Sequence, residues 1–149
     1  MSAGEYCNRE VVVIAKSESV REAISLMRQH HVGTVVVVEQ PVDKPVPVGI
    51  LTDRDIVMEI LAEDVDLDSV SVGDVMSYEL VTVDENTKLL DAIRVMKEKG
   101  VRRLPVINSK GGLEGILSVD DVIDLLAEEL SNISRLISKE QHMEQTKRN

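Results

Sequence analysis

Phenylalanine and tryptophan do not occur in the 149 residues, and Tyr6 and Tyr78 are the only aromatic side chains. The interior must therefore be filled by Val, Ile, Leu and Met, branched aliphatics that pack between layers of strand and helix. The same shortage leaves no aromatic platform on which nucleic-acid bases could stack. Cysteine is nearly absent too: Cys7 stands alone, which excludes an internal disulfide and any multi-cysteine metal site. Positive charge is in deficit, and a formal net charge of −10 argues against a general nucleic-acid binder. A phosphate-bearing ligand would need a local basic patch to offset that field. Long apolar runs are lacking, since stretches such as Thr34 to Val38 are far too short to cross a bilayer. Met1 to Glu10 carries no charged-then-apolar leader. The expectation is a soluble, cytoplasmic protein with neither nucleic acid nor membrane as partner.

What is present is a duplication. Slid about seventy residues along itself, the segment Val20 to Met27 falls on Leu89 to Met96, with Ala23-Ile24 on Ala92-Ile93. The match continues as Val32 on Val101, Val37 on Val106, and Gly49-Ile50-Leu51-Thr52 on Gly115-Ile116-Leu117-Ser118. A repeat of this length is a supersecondary unit with one apolar face too large to leave wet, and two copies can bury those faces together. Such a pairing creates a pseudo-two-fold axis with two equivalent clefts beside it.

Each copy reads as β-α-β-β-α, an α/β protein with two small mixed sheets. The opening strands are expected at Val11 to Ile14 and Leu80 to Val83, and the first helices at Val20 to His31 and Leu89 to Lys99. Ser19 followed by Glu22 predicts a capping-box start for the first of these. The dense runs Thr34 to Val38 and Leu104 to Ile107 suit strands buried on both faces. Asn108 to Gly112 predicts a short Gly-rich hairpin turn, whereas Pro41, Pro45 and Pro47 stiffen a longer link in the first copy. The expected division is residues 4–62 for the first repeat, 63–72 for an acidic connector, 73–130 for the second repeat, and 131–149 for a helical extension with a polar tail. Ile133, Leu136 and Ile137 carry an apolar seam beyond the second repeat, suited either to a second copy of the chain or to packing back on itself.

The sharpest local pattern is Gly-h-h-[Thr/Ser]-x-x-Asp (h, apolar), as Gly49 to Asp55 and again as Gly115 to Asp121. A strand ends, a hydroxyl residue stands at the helix N-cap, and a carboxylate follows in the first turn. One reading is purely structural, because both helices need a cap. The other uses the same geometry for a ligand: helix amides attract phosphate, and the carboxylate can accept from both hydroxyls of a ribose.

Taken together these segments resemble a tandem CBS-domain protein. The carriers are Ala23-Ile24-x-x-Met27, Val48 to Val57, Gly100 to Val106, and Gly115 to Ser118, and the likeness spans about Gly4 to Leu130. The resemblance implies a pseudo-symmetric pair of repeats, commonly dimerised, with clefts that bind AMP, ADP, ATP, NAD or S-adenosylmethionine as regulatory ligands. By position it places Thr52 and Asp55, and Ser118 and Asp121, at ribose and phosphate. It places Val13 and Val36, and Thr82 and Leu104, with neighbouring Pro105, near the adenine. Arg102 and Arg103 match phosphate-contacting cations, and Thr34 stands where the first copy has no such arginine. Arg54 lies inside the first motif where the second has Asp120, so the cleft carrying Asp55 is expected to bind the nucleotide more tightly than the one carrying Asp121.

Other features carry less. Asp64 to Asp68 imitates the start of a calcium loop, but Ser69 and Val75 replace the required Gly and Glu. His30 and His31 suit a helix C-terminus, Cys7 aligns with Met76 as a small apolar filler, and Met27 and Met96 belong to core stripes. The expected function is a non-catalytic sensor, with no prosthetic group, that signals to a separate effector protein. A ligand-free dimerisation or interaction module is an alternative. A metal-assisted nucleotide hydrolase using Asp120-Asp121, or Asp53 with Asp55, is another.

Overall fold

The β-branched runs that lack an amphipathic period form the central strand of each sheet, where both faces are covered. The structure, a computed structural model, describes residues 1–40 and 44–148. The first half holds α1 (Ala3–Tyr6), β1 (Val13–Ala15), α2 (Val20–His30), β2 (Thr34–Glu39) and β3 (Val46–Thr52). There α3 (Asp53–Ile56) runs on as a π-helical turn (Val57–Leu61), and a single 3-10 turn follows (Leu67–Ser69). The second half holds α4 (Val72–Val75), β4 (Val83–Asp84), α5 (Leu89–Lys99), β5 (Arg103–Ile107), β6 (Leu113–Ser118) and α6 (Val119–Arg148).

The two sheets have the same topology. Strand order is β1-β2-β3 in one and β4-β5-β6 in the other, the first pair parallel and the second antiparallel in each. Val35, Val36 and Val37, like Leu104 and Val106, have no exposed surface. The helices start where the sequence says. Ser19 Oγ accepts from the Glu22 amide at 3.1 Å, a simple N-cap without the reciprocal bond of a full capping box. Both α2 and α5 end in a left-handed residue, His31 (φ 54°) and Gly100 (φ 65°).

Three local expectations shift. The opening strands begin later than predicted, at Val13 and Val83, although the Val12 carbonyl already accepts from the Val36 amide at 2.9 Å. Pro47 lies inside β3, opposite Val38, where a register shift between Val37 and Val38 accommodates it on an outer strand; Pro41 lies outside the described residues. The acidic connector is anchored toward its end, where Leu67 and Val70 pack on the first core and Val72 is fully buried in it.

The units of packing are not the units of repeat. Ala3, Tyr6 and Cys7 pack in the second core with Val83, Leu89 and Leu104. Val72 and Met76 pack in the first with Val20, Leu51 and Ile60. Backbone hydrogen bonds bind this exchange: the Ala3 and Gly4 amides donate to Thr87 and Glu85 carbonyls at 2.7 and 2.8 Å. Val72 and Gly73 donate to Glu18 and Lys16 in the same way, both at 2.8 Å. Asn8 exchanges two bonds with Ile116 (2.8 and 2.9 Å), and Ser77 two with Ile50 (2.9 and 3.3 Å). These close approaches explain the motif glycines. A Cβ on Gly115 would lie 2.5 Å from Cys7 Sγ and 2.7 Å from Asn8 O, and one on Gly49 would lie 2.7 Å from Met76 Sδ and 2.8 Å from Ser77 O.

A polar knot reinforces the second crossing. The Glu114 side chain, only 12% exposed, accepts from Arg9 Nη1 at 3.1 Å, from Asn108 Nδ2 at 3.0 Å and from Lys44 Nζ. Lys44 and then Asn108 hold its carboxyl below the usual range, against the opposing effect of burial. The N-terminal arm, the β2–β3 link and the β5–β6 turn thus meet on one carboxylate.

α6 leaves the body of the protein. Residues 126–147 are all exposed, so the seam does not pack back on the described residues of the same chain.

Two outcomes follow. Gly115→Ala should lower unfolding stability by about 1–3 kcal/mol, because a methyl must force apart two backbones as overpacking does; denaturant melts measure it. Glu114→Gln should cost stability at neutral pH. A depressed folded pKa contributes stability above the unfolded value and loses it as pH falls through the folded one. The gap in melting temperature between wild type and Glu114→Gln should therefore close as pH drops through the carboxylate range, in thermal melts at stepped pH.

Candidate functional site

Each motif sits where an outer strand turns into a helix. Thr52 ends β3 opposite Thr34, and Ser118 ends β6 opposite Arg103. Thr52 Oγ1 accepts from the Asp55 amide at 3.2 Å, and Asp55 Oδ2 accepts from the Thr52 amide at 2.9 Å. That is a complete capping box, the structural reading of the motif. The second copy realises only half of it. Ser118 Oγ accepts from the Asp121 amide at 3.1 Å, and the exposed Asp121 carboxylate takes no hydrogen bond among the described residues.

A cleft of about 430 Å³ opens beside the second motif, a volume in the range of small-molecule sites. Ser118, Asp120 and Asp121 form one wall, and the crossing segment with Val11 and Val12 forms another. His31 to Thr34, from the first repeat, and Arg103, from the second, complete it. The cleft is therefore shared by both repeats, with Thr34 and Arg103, equivalent positions of the duplication, both lining it.

Its electrostatics differ from what the sequence suggested. Asp120, expected to repel a phosphate, lies 3.6 Å from Arg102 Nη2. The pair is open to solvent and adds little stability, yet it offsets the charge. Arg103 is half-buried and pairs with no carboxylate among the described residues. The Thr34 hydroxyl oxygen is closed to solvent and has no hydrogen-bond partner among those residues.

The remaining predicted residues scatter. Asp55 lines a different hollow of about 500 Å³ with Glu59, Asp74 and Ser77. Arg54 lines a shallow depression with Asp53, Val57 and Met58. The Asp55 cleft was ranked first on the contrast between Arg54 and Asp120; here Arg54 and Asp55 line different hollows, and Asp120 lies beside Arg102. Val13 faces a third hollow with Lys16 and Glu39, because pairing with β2 begins there; Val11 and Val12 take the cleft wall instead. Val36, Leu104 and Pro105 are fully buried, and the Val36 amide already donates to Val12 at 2.9 Å. Thr82 is half-buried just before β4. Sequence reasoning missed Asn8, Glu10, Val11, Val12 and His31. The alignment of Asn8 on Ser77 held the signal, since those two residues anchor the crossings.

Cys7 is a packing residue here, with burial the main effect raising its thiol pKa. Among the described residues no group of three or more His, Cys, Asp or Glu is arranged to hold a metal ion. Among them no helix is long and apolar enough to cross a membrane.

Comparison with known proteins accounts for this architecture. The sequence profile of the CBS domain matches residues 3–62 and again 72–128. The chain is 39% identical over 133 residues to the CBS domain-containing protein YhcV of Bacillus subtilis, covering 89% of each. It is 34% identical over 125 residues to uncharacterized protein MK0525 of Methanopyrus kandleri, covering 84% of this chain but 62% of that protein. The crystal structure of CBSX2 in complex with AMP superposes with a TM-score of 0.72 at 28% identity, covering 85% of this chain and 96% of that one. The duplicated motif, the exchanged helices and these matches agree: the chain belongs to the CBS domain family, with two CBS domains in tandem.

Proposed function

We propose that the chain is a regulatory sensor that binds an adenosine ligand in the cleft between Thr34 and Asp121. The observation that carries this is the convergence, on one cavity walled by both repeats, of the Ser118 cap with Arg103 and the Asp121 carboxylate, neither of which is paired among the described residues. Asp121 accepts from the ribose hydroxyls, Arg103 pairs with phosphate, and Val11 and Val12 cover the base. The AMP complex of CBSX2, a relative of the same fold, supports the ligand class. Signalling follows if the ligand prefers one arrangement of the two repeats over another. An effector protein then reads that arrangement.

This reading ranks the clefts opposite to the charge argument from sequence. Asp55 is engaged in its capping box, so recruiting it for a ligand costs a hydrogen bond. Asp121 has none to lose.

Thermal shift and titration calorimetry across AMP, ADP, ATP, NAD and S-adenosylmethionine, with and without magnesium, test the assignment. A ligand at about 100 times its dissociation constant should stabilise the protein by about 2.7 kcal/mol. Asp121→Ala or Arg103→Ala should weaken binding about 10- to 100-fold, the worth of a charge-assisted hydrogen bond. Asp55→Ala should chiefly lower stability through its cap. A larger affinity loss from Asp55→Ala would reverse the ranking, product formation would indicate an enzyme, and silence with every ligand would indicate an interaction module. Thr34→Val should raise the melting temperature of the ligand-free protein, by removing a buried hydroxyl without a partner.

A further inference from the structure

The repeats differ at the residue that ends their first helix. The second copy uses Gly100, whose φ of 65° costs glycine nothing. The first copy uses His31, held at φ 54° and ψ 44°, in the left-handed region that disfavours a side chain. Helices that end in this way take glycine most readily, then asparagine. Among the described residues, His31 and Asp64 are the non-glycine residues with positive φ. Asp64 belongs to the connector, whereas His31 lines the cleft that Asp121 also lines. A histidine held there, where the equivalent position has glycine, points to a use for its side chain.

Charge in the cleft says what that use is. Glu10 of the crossing segment and Asp120 and Asp121 of α6 line it, against one arginine, Arg103 of β5. Arg102 is paired with Asp120, 3.6 Å away. A fourth carboxylate stands against Gly33, where a Cβ would lie 2.8 Å from Asp53 Oδ2. The last turn of α2 also carries Arg28 and His30. A phosphate monoester brings about −1.5 to −2 charges near neutral pH, so Arg103 alone leaves it short of a partner. Imidazole is the side chain that gains positive charge on mild acidification. At the end of α2 that charge also suits the helix dipole.

We propose that His31 is a second phosphate-binding residue of the cleft, active only when protonated, so that ligand affinity is set by pH. The inference rests on the nucleotide reading and names a regulator of that site, the proton. Asp121 holds the ribose, while Arg103 from the second repeat and the His31 imidazolium from the first donate to the phosphate. Bound phosphate favours the charged imidazole, so binding takes up a proton. The affinity gained is lost as pH rises past the point where the bound imidazole deprotonates.

Titration calorimetry of the full chain with AMP and with adenosine, at pH 6 and pH 8, tests this. His31→Asn keeps a residue that accepts the left-handed turn, and His31→Gly takes the residue used in the second repeat. At pH 6 the wild type should bind AMP about 10-fold more tightly than either variant. That is the lower end for a charge-assisted hydrogen bond, because His31 is exposed. By pH 8 the advantage should shrink to about twofold or less. Adenosine should bind all three proteins equally at both values. The phosphate of AMP titrates over the same range, but alike in all three, so comparison between proteins cancels it. Equal AMP affinity for wild type and both variants at pH 6 would overturn the proposal and leave His31 a helix end. An equal loss for adenosine and AMP would overturn it too, since the side chain would then shape the cleft rather than meet phosphate. Absence of AMP binding by the wild type would remove the nucleotide reading as well, so the two failures are distinct.

Discussion

The exchange of short helices between the two repeats is the constraint on which the other features depend. Each repeat exposes an outer strand, β3 or β6, whose edge would otherwise be open to pairing. The residues after α1 and α4 close that edge with two backbone hydrogen bonds, at Ile116 and at Ile50. Backbone can approach backbone this closely only where the strand carries no side chain. Gly115 and Gly49 stand one residue before the contacts for that reason. Neither core is complete without a segment that the chain supplies about seventy residues away. The two repeats therefore form one cooperative unit, although each has its own sheet.

The cleft is a by-product of the same crossing. After pairing with Ile116, the chain runs from Asn8 to Val12 over the gap between repeats before joining β2 as β1. This covered gap, bounded by the second motif and by the end of α2, is the cavity that collects Ser118, Asp121, Thr34 and Arg103. A ligand there touches segments of both repeats, so it is placed to sense their mutual arrangement. The duplication supplies symmetry, and substitution breaks it: Thr34 faces an arginine at its own equivalent position.

The second asymmetry lies in the final helices. After Asp55 the first copy turns through a π-helical segment and stops near Leu61, whereas the second continues for 30 residues as α6. The first is used up on the core, with Ile56 and Ile60 buried. The second has Val122 buried, with Val119 and Leu125 packed against the core, and then departs from it. One repeat thus ends inside the domain pair and the other projects from it, which gives the molecule a direction as well as a symmetry.

Much of the fold was legible because it is local. The starts of α2 and α5, the buried central strands, the hairpin turn at Asn108 and the caps at Thr52 and Ser118 follow from side-chain period, β-branching and hydroxyl placement within a few residues. The duplication and its family likeness were legible for the same reason. What the sequence could not decide was pairing over distance. Local period says that Val11 to Val13 is extended but not that Val11 and Val12 wall a cleft while Val13 joins a sheet. It says that Asp120 is acidic but not that Arg102 lies beside it. It displays the α6 seam but not whether the seam is buried, because burial depends on where a helix points once the cores have closed. Residue type and spacing determined the elements and their chemistry; the long-range backbone contacts of the exchanged helices decided which of those chemical groups meet.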